Sequence, residues 1–402
     1  MCSALGALVV GSAGLAPGVA AASDIQSKQW YLKAMGADEM WKYSTGKGVK
    51  VALIDTGVNA ATSSLKGQVL SGDVPKSAGY RATDDYNGHG TSMAEIIAGT
   101  GAGGGIKGLA PGAKIVPIRI DMLDTKGAKQ DPNSPSSAEA IRAAADSDVK
   151  IISMSFASPY PSSEEEDAVK YAASKGKLMF AGIGNGGEKG KVEYPATDPY
   201  VVGVGATDSS GTIAKFSTKS NYVDFAAPGV NIPGWCDTKF TEYCNTWGTS
   251  PATAIASASA ALVWSVHPNW TANQVLRTLL DTAGRSWPKD KPSTYLGYGL
   301  IRPRRVLIDK NIDPGPADRD PLYAENGTDA NADIMATPSL SVAPSSGTSA
   351  KGTGTTGGPT SAAAKDSGSG GDTQTWVIVG AAAAVLVIGG AGFAVLRARR
   401  SA

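Results

Sequence analysis

The sequence predicts an α/β fold: a doubly wound, mostly parallel sheet with helices on both faces. Two observations predict it. Short apolar runs alternate along the chain with segments of helical periodicity, and the apolar runs contain few polar residues. Strands covered on both faces of a parallel sheet have this nearly continuous apolar character. Their alternation with helices is typical of the doubly wound arrangement.

Five short apolar runs predict the strands of this sheet. They are VKVALI (49–54), AKIVPIRI (113–120), VKIISMSF (149–156), KLMFAGI (177–183) and YVVGVGA (200–206). In such sheets, catalytic and binding residues gather at the carboxyl ends of the strands, so we expect the functional site at that edge.

Two segments between these strands have helical periodicity, SSAEAIRAAADS (136–147) and SEEEDAVKYAASKG (163–176). In the second, Ser163 is the predicted N-cap and Gly176 the predicted end. Acidic residues fill its first turn, where the helix dipole favours negative charge.

Residues 1–22 form an apolar stretch of small residues that ends in Ala20-Ala21-Ala22. This pattern predicts a signal peptide with an A-x-A cleavage site. Because no basic region precedes it, we expect the true start of the signal to lie further upstream. The alternative is a buried N-terminal helix, which the glycines and Pro17 disfavour.

Residues 376–396 are uncharged and are followed by Arg397, Arg399 and Arg400. About 21 residues span roughly 30 Å as a helix, which matches the thickness of a bilayer core. The positive-inside rule then predicts a cytoplasmic tail at 397–402 and places the rest of the chain outside a cell membrane that it crosses once. The alternative is a buried helix of a globular core.

Residues 313–375 are rich in Ser, Thr, Gly and Pro, and they predict a disordered linker because they cannot bury enough apolar surface to fold. This leaves residues 23–312 as the folded domain.

Charge and cysteine content narrow the function classes. With 37 basic and 36 acidic residues, the net charge is +1, which argues against a nucleic-acid partner. Once a signal peptide holding Cys2 is removed, Cys236 and Cys244 remain, and an even pair fits an oxidising compartment.

Two candidate catalytic residues lie early in the chain. Asp55 directly follows the strand VALI, although a single aspartate at a strand end is common without catalysis. His89 lies in NGHGTS, where Gly88 and Gly90 allow close approach of backbone and substrate. The only other histidine, His267 in VHPNW, is interpreted as structural.

Ser250 lies in WGTSPATA, at the start of a helix rich in Ala and Ser. Free N–H groups and a positive dipole end at a helix start suit developing negative charge, while the simpler alternative is an ordinary capping serine. Asn185, in FAGIGNGG beyond another predicted strand, offers an amide that can point at the same charge.

The order Asp, His, Asn, Ser and the motifs DTG, HGT, Gly-Asn and GTS resemble the subtilase family of serine peptidases. The resemblance covers nearly all of residues 29–310. It implies a serine endopeptidase that cleaves extracytoplasmic proteins, with Asp55, His89 and Ser250 as catalytic triad and Asn185 in the oxyanion hole.

One motif departs from the family pattern. The usual GTSMATP reads GTSPATA here, with Pro251 after the nucleophile and Ala254 where proline is usual. We expect Pro251 at the first helical position, where a missing N–H costs no helix bond, and therefore an active enzyme.

Within the family the chain is most similar to mycosin-type peptidases of type VII secretion, which also have a signal peptide, a linker and one C-terminal membrane helix. This implies a protein or peptide substrate, a membrane and a secretion complex as partners. A non-catalytic scaffold that stabilises such a complex is the alternative. A wall-binding protein would need binding repeats, and the linker has none.

The family resemblance also implies further roles. Ser155, Phe156 and Ala157 would form an edge that pairs with an extended peptide. Glu193 would lie at the base of the primary specificity pocket and favour Lys or Arg, or else would pair with a surface lysine, Lys189 or Lys191. Cys236 and Cys244 would form a disulfide.

No metal or other cofactor is predicted. The glycine-rich run at 99–108 lacks the Lys-Ser/Thr ending of a phosphate-binding loop, and no cluster of carboxylates suggests a calcium site.

Overall fold

Parallel strands form the central sheet of the computed structural model, which describes residues 22–122 and 127–323. In the order β2-β1-β3-β4-β5-β6, the sheet contains β1 Lys50–Asp55, β2 Lys114–Arg119, β3 Ile151–Met154, β4 Leu178–Gly182, β5 Val201–Thr207 and β6 Phe225–Pro228. Because β1 lies between β2 and β3, the chain winds outward in both directions from β1. In this topology, ligands bind where β1 and β3 end.

Helices cover both faces of the sheet, as the sequence predicts. Their bounds are α1 Ala22–Ser27, α2 Trp30–Met35, α3 Ala37–Met40, α4 His89–Ala98, α5 Ser137–Asp146, α6 Ser163–Ser174, α7 Thr249–Val266, α8 Ala272–Thr282 and α9 Pro303–Ile308.

Successive residues of β1 belong to two separate apolar cores. Val51 and Leu53 pack in the core that contains α4 and α7. Ala52 and Ile54 pack in the core that contains α5 and α6. All four side chains are fully buried, which explains why this strand has no polar face in the sequence.

Two predictions of local position are wrong. The N-cap of α6 is Ser162, whose side chain accepts a hydrogen bond from the Glu165 N–H at 3.3 Å, because Ser162 is extended and Ser163 is already helical. Pro251 is the third residue of α7, not the first, since the helix begins at Thr249. It still lies in the first turn, where N–H groups have no helical partner.

An antiparallel hairpin leads into α7 and was not predicted from the sequence. It consists of β7 Val230–Trp235 and β8 Tyr243–Trp247. Strand β7 is hard to predict from the sequence because it contains Pro233 and Gly234, which are both poor strand formers. The hairpin matters for the site because β8 ends three residues before Ser250.

The described chain stays packed beyond residue 312. Arg277 of α8 donates hydrogen bonds to the carbonyl oxygens of Pro314 and Pro316, and Leu322 is buried. Packing therefore continues into the first residues of the segment that the sequence indicates as linker.

Most of the predicted signal peptide, residues 324–375 of the predicted linker, the predicted membrane helix at 376–396 and the tail at 397–402 lie outside the described residues. Within the part that is described, no helix combines the length and apolar character needed to cross a membrane.

Candidate active site

Asp55 and His89 form the best-defined contact of the site. Asp55 is the last residue of β1 and is fully buried. The Nδ1–H of His89 donates to Asp55 Oδ1 at 2.7 Å, and the same oxygen accepts the Thr56 N–H at 2.7 Å. Because Nδ1 is occupied, Nε2 is the ring nitrogen free to accept a proton.

The two glycines beside His89 have the structural role that the sequence suggests. His89 is the first residue of α4, and Gly88 before it has φ 90°, a left-handed conformation that favours glycine. A Cβ atom on Gly90 would lie 2.1 Å from the Gly57 carbonyl oxygen. Any side chain there would push α4 away from Asp55.

Burial and charge oppose each other at His89. Burial lowers the pKa of the imidazole, but the charge and hydrogen bond of Asp55, together with the charge of Asp85, outweigh it. The net result is a pKa raised above 6.5. The side chain remains 25% exposed, so solvent and substrate can reach it.

Ser250 is the second residue of α7 and is half-buried. Its hydroxyl donates to the carbonyl oxygen of Ser155, which follows β3, at 3.4 Å. Among the described residues, no hydrogen bond joins Ser250 Oγ to His89. The residue after Ser250, Pro251, lines the same cleft as His89.

Asn185 lies three residues beyond β4 and faces the backbone before Ser250. Its Oδ1 accepts the Thr249 N–H at 2.9 Å and the Thr249 hydroxyl at 3.3 Å. With the oxygen occupied in this way, the amide nitrogen Nδ2 is the group available to donate. The structure therefore brings Asn185 to the start of α7, next to Ser250.

The segment after β3 has the free backbone that an incoming strand needs. Ser155 and Phe156 are buried, and Ala157 is exposed. Among the described residues, no hydrogen bond involves Phe156 or Ala157, whereas Ser158 is bonded to Tyr194 in both directions at 2.9 Å. Residues 156 and 157 are thus unpaired beside Ser250.

Glu193 extends towards the loop that carries Asn185. A Cβ atom on Gly184 would lie 2.8 Å from Glu193 Oε2 and 3.0 Å from the Thr218 hydroxyl. The half-buried carboxylate therefore contacts the residue directly before Asn185.

A cleft of about 450 Å³ opens beside His89, on a side that Ser155, Asn185 and Glu193 do not line. Its wall includes the β7–β8 hairpin, in which Cys236 and Cys244 are joined with Cα atoms 5.3 Å apart. The lining includes Tyr86, His89, Trp235, Asp237, Trp247 and Pro251.

Several residues of this site could not be identified from the sequence. Trp235 and Trp247 line the cleft, and Trp247 is 62% exposed, but only its position just before GTS hinted at a role. Asp85, which influences His89, precedes the HGT motif by four residues and belongs to no motif that we recognised.

His267, which the sequence analysis interprets as structural, lies away from this site. It follows the last residue of α7, roughly 25 Å along the helix from Ser250. Its ring stacks on Trp270 with centroids 3.7 Å apart.

In the described residues, no group of three or more His, Cys, Asp or Glu side chains is arranged to hold a metal ion. That no cofactor is needed stays a prediction.

Comparison with known proteins identifies the family. A family model described as "Subtilase family" matches residues 46–299. Subtilisin BL of Lederbergia lenta is 35% identical over 243 residues, which cover 60% of this chain and 84% of the relative.

Solved structures give the same result. MycP1 from Mycobacterium smegmatis matches with a TM-score of 0.60 and 27% identity, covering 73% of this chain and 88% of that one. A serine protease MycP1, described as an essential component of the type VII (ESX-1) secretion system, matches with a TM-score of 0.59 and 27% identity, covering 71% and 90%.

Proposed function

The chain belongs to the subtilase family and is a subtilisin-like serine endopeptidase, and from this premise we propose that Asp55, His89 and Ser250 are its catalytic triad. The observation that carries the proposal is the 2.7 Å hydrogen bond from His89 Nδ1 to the buried Asp55. This bond fixes the tautomer that leaves Nε2 as a base.

In the proposed reaction, the Ser250 hydroxyl turns from the Ser155 carbonyl towards His89. The 3.4 Å distance to the Ser155 carbonyl oxygen is near the outer limit of a hydrogen bond, so breaking this weak bond costs little free energy. Ser250 Oγ then attacks the peptide carbonyl while His89 takes its proton. As the C–N bond breaks, His89 delivers that proton to the leaving amine, and Asp55 stabilises the imidazolium throughout.

Two donors are proposed to hold the oxyanion, the Asn185 amide and the Ser250 backbone N–H. At the second position of α7 this N–H has no partner within the helix. Thr249 fixes the Asn185 amide before the reaction begins, which is the preorganisation that stabilises developing charge.

Substrate is proposed to bind as an extended strand along the free backbone of Phe156 and Ala157. The residues after the cut bond would then enter the cleft beside His89 and Pro251.

Glu193 is proposed to favour Lys or Arg before the cut bond. Its carboxylate lies against Gly184, next to Asn185, and so close to where that side chain would enter. A panel of peptides that differ only at this residue tests the idea. We expect wild type to prefer basic over apolar residues and Glu193→Gln to lose the preference, with Glu188→Gln as control. No preference in wild type contradicts it.

The setting is proposed from the sequence and the MycP1 similarity. Residues 1–22 would be a signal peptide, 23–312 the peptidase domain, 313–375 a linker, 376–396 a membrane helix and 397–402 a cytoplasmic tail. The chain would then act outside the cell membrane, with a secretion complex as partner, by analogy with the MycP1 that is a component of the ESX-1 system.

A non-catalytic scaffold is the second candidate, since Ser250 is bonded to Ser155 and not to His89 in this structure. A fluorophosphonate probe, which reacts only with an activated serine, separates the two. We expect the full chain to be labelled and Ser250→Ala to remain unlabelled. The exposed Ser210→Ala should label like wild type. An unlabelled but folded wild type would favour the scaffold.

A further inference from the structure

A second carboxylate, Asp85, is buried behind His89 and takes no part in the proposed reaction. It lies in the loop between β1 and α4, and only 5% of it is exposed. A buried charge is costly unless hydrogen bonds satisfy it, so its partners indicate why it is there.

Five hydrogen bonds satisfy both oxygens of Asp85. Oδ1 accepts the Thr56 hydroxyl at 2.8 Å, the Asn87 N–H at 3.0 Å and the Gly88 N–H at 2.7 Å. Oδ2 accepts the N–H of Thr91 at 2.9 Å and its hydroxyl at 2.6 Å. Every donor is neutral, and no ion pair to Asp85 occurs among the described residues, so its charge is not cancelled by a direct cation.

These donors belong to the two segments that carry the proposed catalytic pair. Thr56 directly follows Asp55, while Gly88 and Thr91 flank His89 closely. The Thr56 hydroxyl also accepts the Gly90 N–H at 2.9 Å. Asp85 therefore links the end of β1 to the start of α4. Because Asp55 ends β1 and His89 begins α4, these hydrogen bonds help to set the distance between the two side chains.

The charge of Asp85 also affects the pKa of His89. The negative charge of Asp85 raises the pKa of the imidazole, after the larger effects of burial and of Asp55. Other charged or titratable groups near the ring are Asp237 and Tyr86, which line the cleft. Arg119 lies over the Tyr86 ring and donates to the Asp84 carbonyl oxygen.

We propose that Asp85 is a positioning residue for the peptidase reaction, which holds the His89 imidazole against Asp55 and adds a second negative charge behind it. The inference rests on the proposed function, because it takes His89 as the general base. If the His89 imidazole is displaced, the chemical step becomes slower. If the charge of Asp85 is removed, the imidazolium form of His89 is less stable.

The test compares Asp85→Asn with Asp84→Asn in the full-length protein on a peptide substrate. Asp84 is the adjacent, half-exposed aspartate, which pairs with Arg81. For Asp85→Asn we expect kcat to fall roughly 10- to 100-fold, with KM little changed, since the loss is in alignment of the base. The acid limb of kcat/KM should move to lower pH. Asp84→Asn should match wild type in all three.

Thr56→Val separates positioning from charge. It removes the hydroxyl that links Asp85 to the Asp55 segment, together with that hydroxyl's longer 3.2 Å contact to Asp55 Oδ1, but keeps both carboxylates. We expect kcat to fall while the acid limb stays where it is in wild type. Should Asp85→Asn fail to fold, wild-type kcat in Thr56→Val overturns the proposal.

Failure of the inference and failure of the proposed function are distinguishable by NMR titration of the histidines. The chain has only two, so His267 is an internal reference. In Asp85→Asn the His89 midpoint should fall while that of His267 stays, whether or not His89 is the general base. An unchanged His89 midpoint, or wild-type kcat in Asp85→Asn, overturns the inference. Absence of probe labelling in wild type overturns the proposed function instead.

Discussion

At the residue scale, the raised pKa of His89 determines how activity depends on pH. Only the neutral imidazole can take the Ser250 proton, so we expect the acid limb of kcat/KM to have its midpoint above pH 6.5. The charged pair with Asp55 also stabilises the fold below pH 6.5, and this contribution is lost as pH rises through the folded value. A pH profile on a peptide substrate checks the first point, and a midpoint at or below 6.5 contradicts it.

Asn185 should matter for turnover much more than for binding. Replacing it by alanine removes one of the two proposed oxyanion donors, and we expect this to lower kcat roughly 10²- to 10³-fold. KM should change little, because the donor acts on charge that develops in the transition state. Steady-state kinetics measure both, with exposed Asn221→Ala as control. A loss confined to KM would assign Asn185 to substrate binding.

Glu95 is a buried carboxylate of α4 that should weaken the fold above neutral pH. Burial raises its pKa to about 7, although Thr62 and Tyr243 donate to it at 2.8 and 2.9 Å. A folded pKa raised from 4.5 to about 7 means that stability falls as pH rises between those values, by up to about 3 kcal/mol.

We therefore expect Glu95→Gln to raise the free energy of unfolding at pH 8 and to have little effect at pH 5. Urea denaturation at both pH values measures this, with exposed Glu188→Gln as control. An equal change at the two pH values would mean that ionisation of Glu95 is not the cause.

At the element scale, the β7–β8 hairpin connects the two halves of the proposed site. Its backbone is tied to α4, since the Trp235 N–H donates to the Ser92 hydroxyl at 2.8 Å. Tyr243 of the same hairpin donates to Glu95 of that helix. Because β8 leads directly to Ser250, movement of the hairpin would move both the serine and the cleft wall.

Removing both cysteines of the hairpin by Cys236→Ser and Cys244→Ser should therefore reduce stability and activity together. Closing so short a loop is worth roughly 2 kcal/mol by the chain-entropy model. Urea denaturation and probe labelling of Ser250 measure the two effects. Reductant should lower wild type to the level of the double variant and leave that variant unchanged. No effect of either treatment would mean that the disulfide does not support the site.

At the scale of the whole molecule, residues 376–396 should determine where the peptidase acts. Deleting residues 376–402 should move the protein from the membrane fraction to the soluble fraction, because the predicted membrane helix is lost. Deleting 397–402 alone should leave it in the membrane fraction. Fractionation followed by immunoblotting checks this, and a membrane-bound 376–402 deletion would refute the anchor.

The candidate site residues that could be predicted from the sequence are those that belong to a local motif. Asp55, His89, Asn185 and Ser250 each stand in a short motif next to a predicted strand end or helix start. Asp85 could not be predicted in this way, because Thr56 and Thr91 become its hydrogen-bond donors only when the loop folds back between β1 and α4. The aromatic side chains of the cleft were missed for the same reason.

The sequence by itself determined the α/β class, the five strands and the subtilase family, because apolar periodicity and motif order are properties of the chain alone. Only the tertiary structure decided that β1 lies between β2 and β3 in the sheet, that a hairpin forms the wall beside His89, and that the Ser250 hydroxyl is bonded to Ser155. These depend on contacts between segments far apart along the chain, and packing and hydrogen bonding across the whole domain select among them.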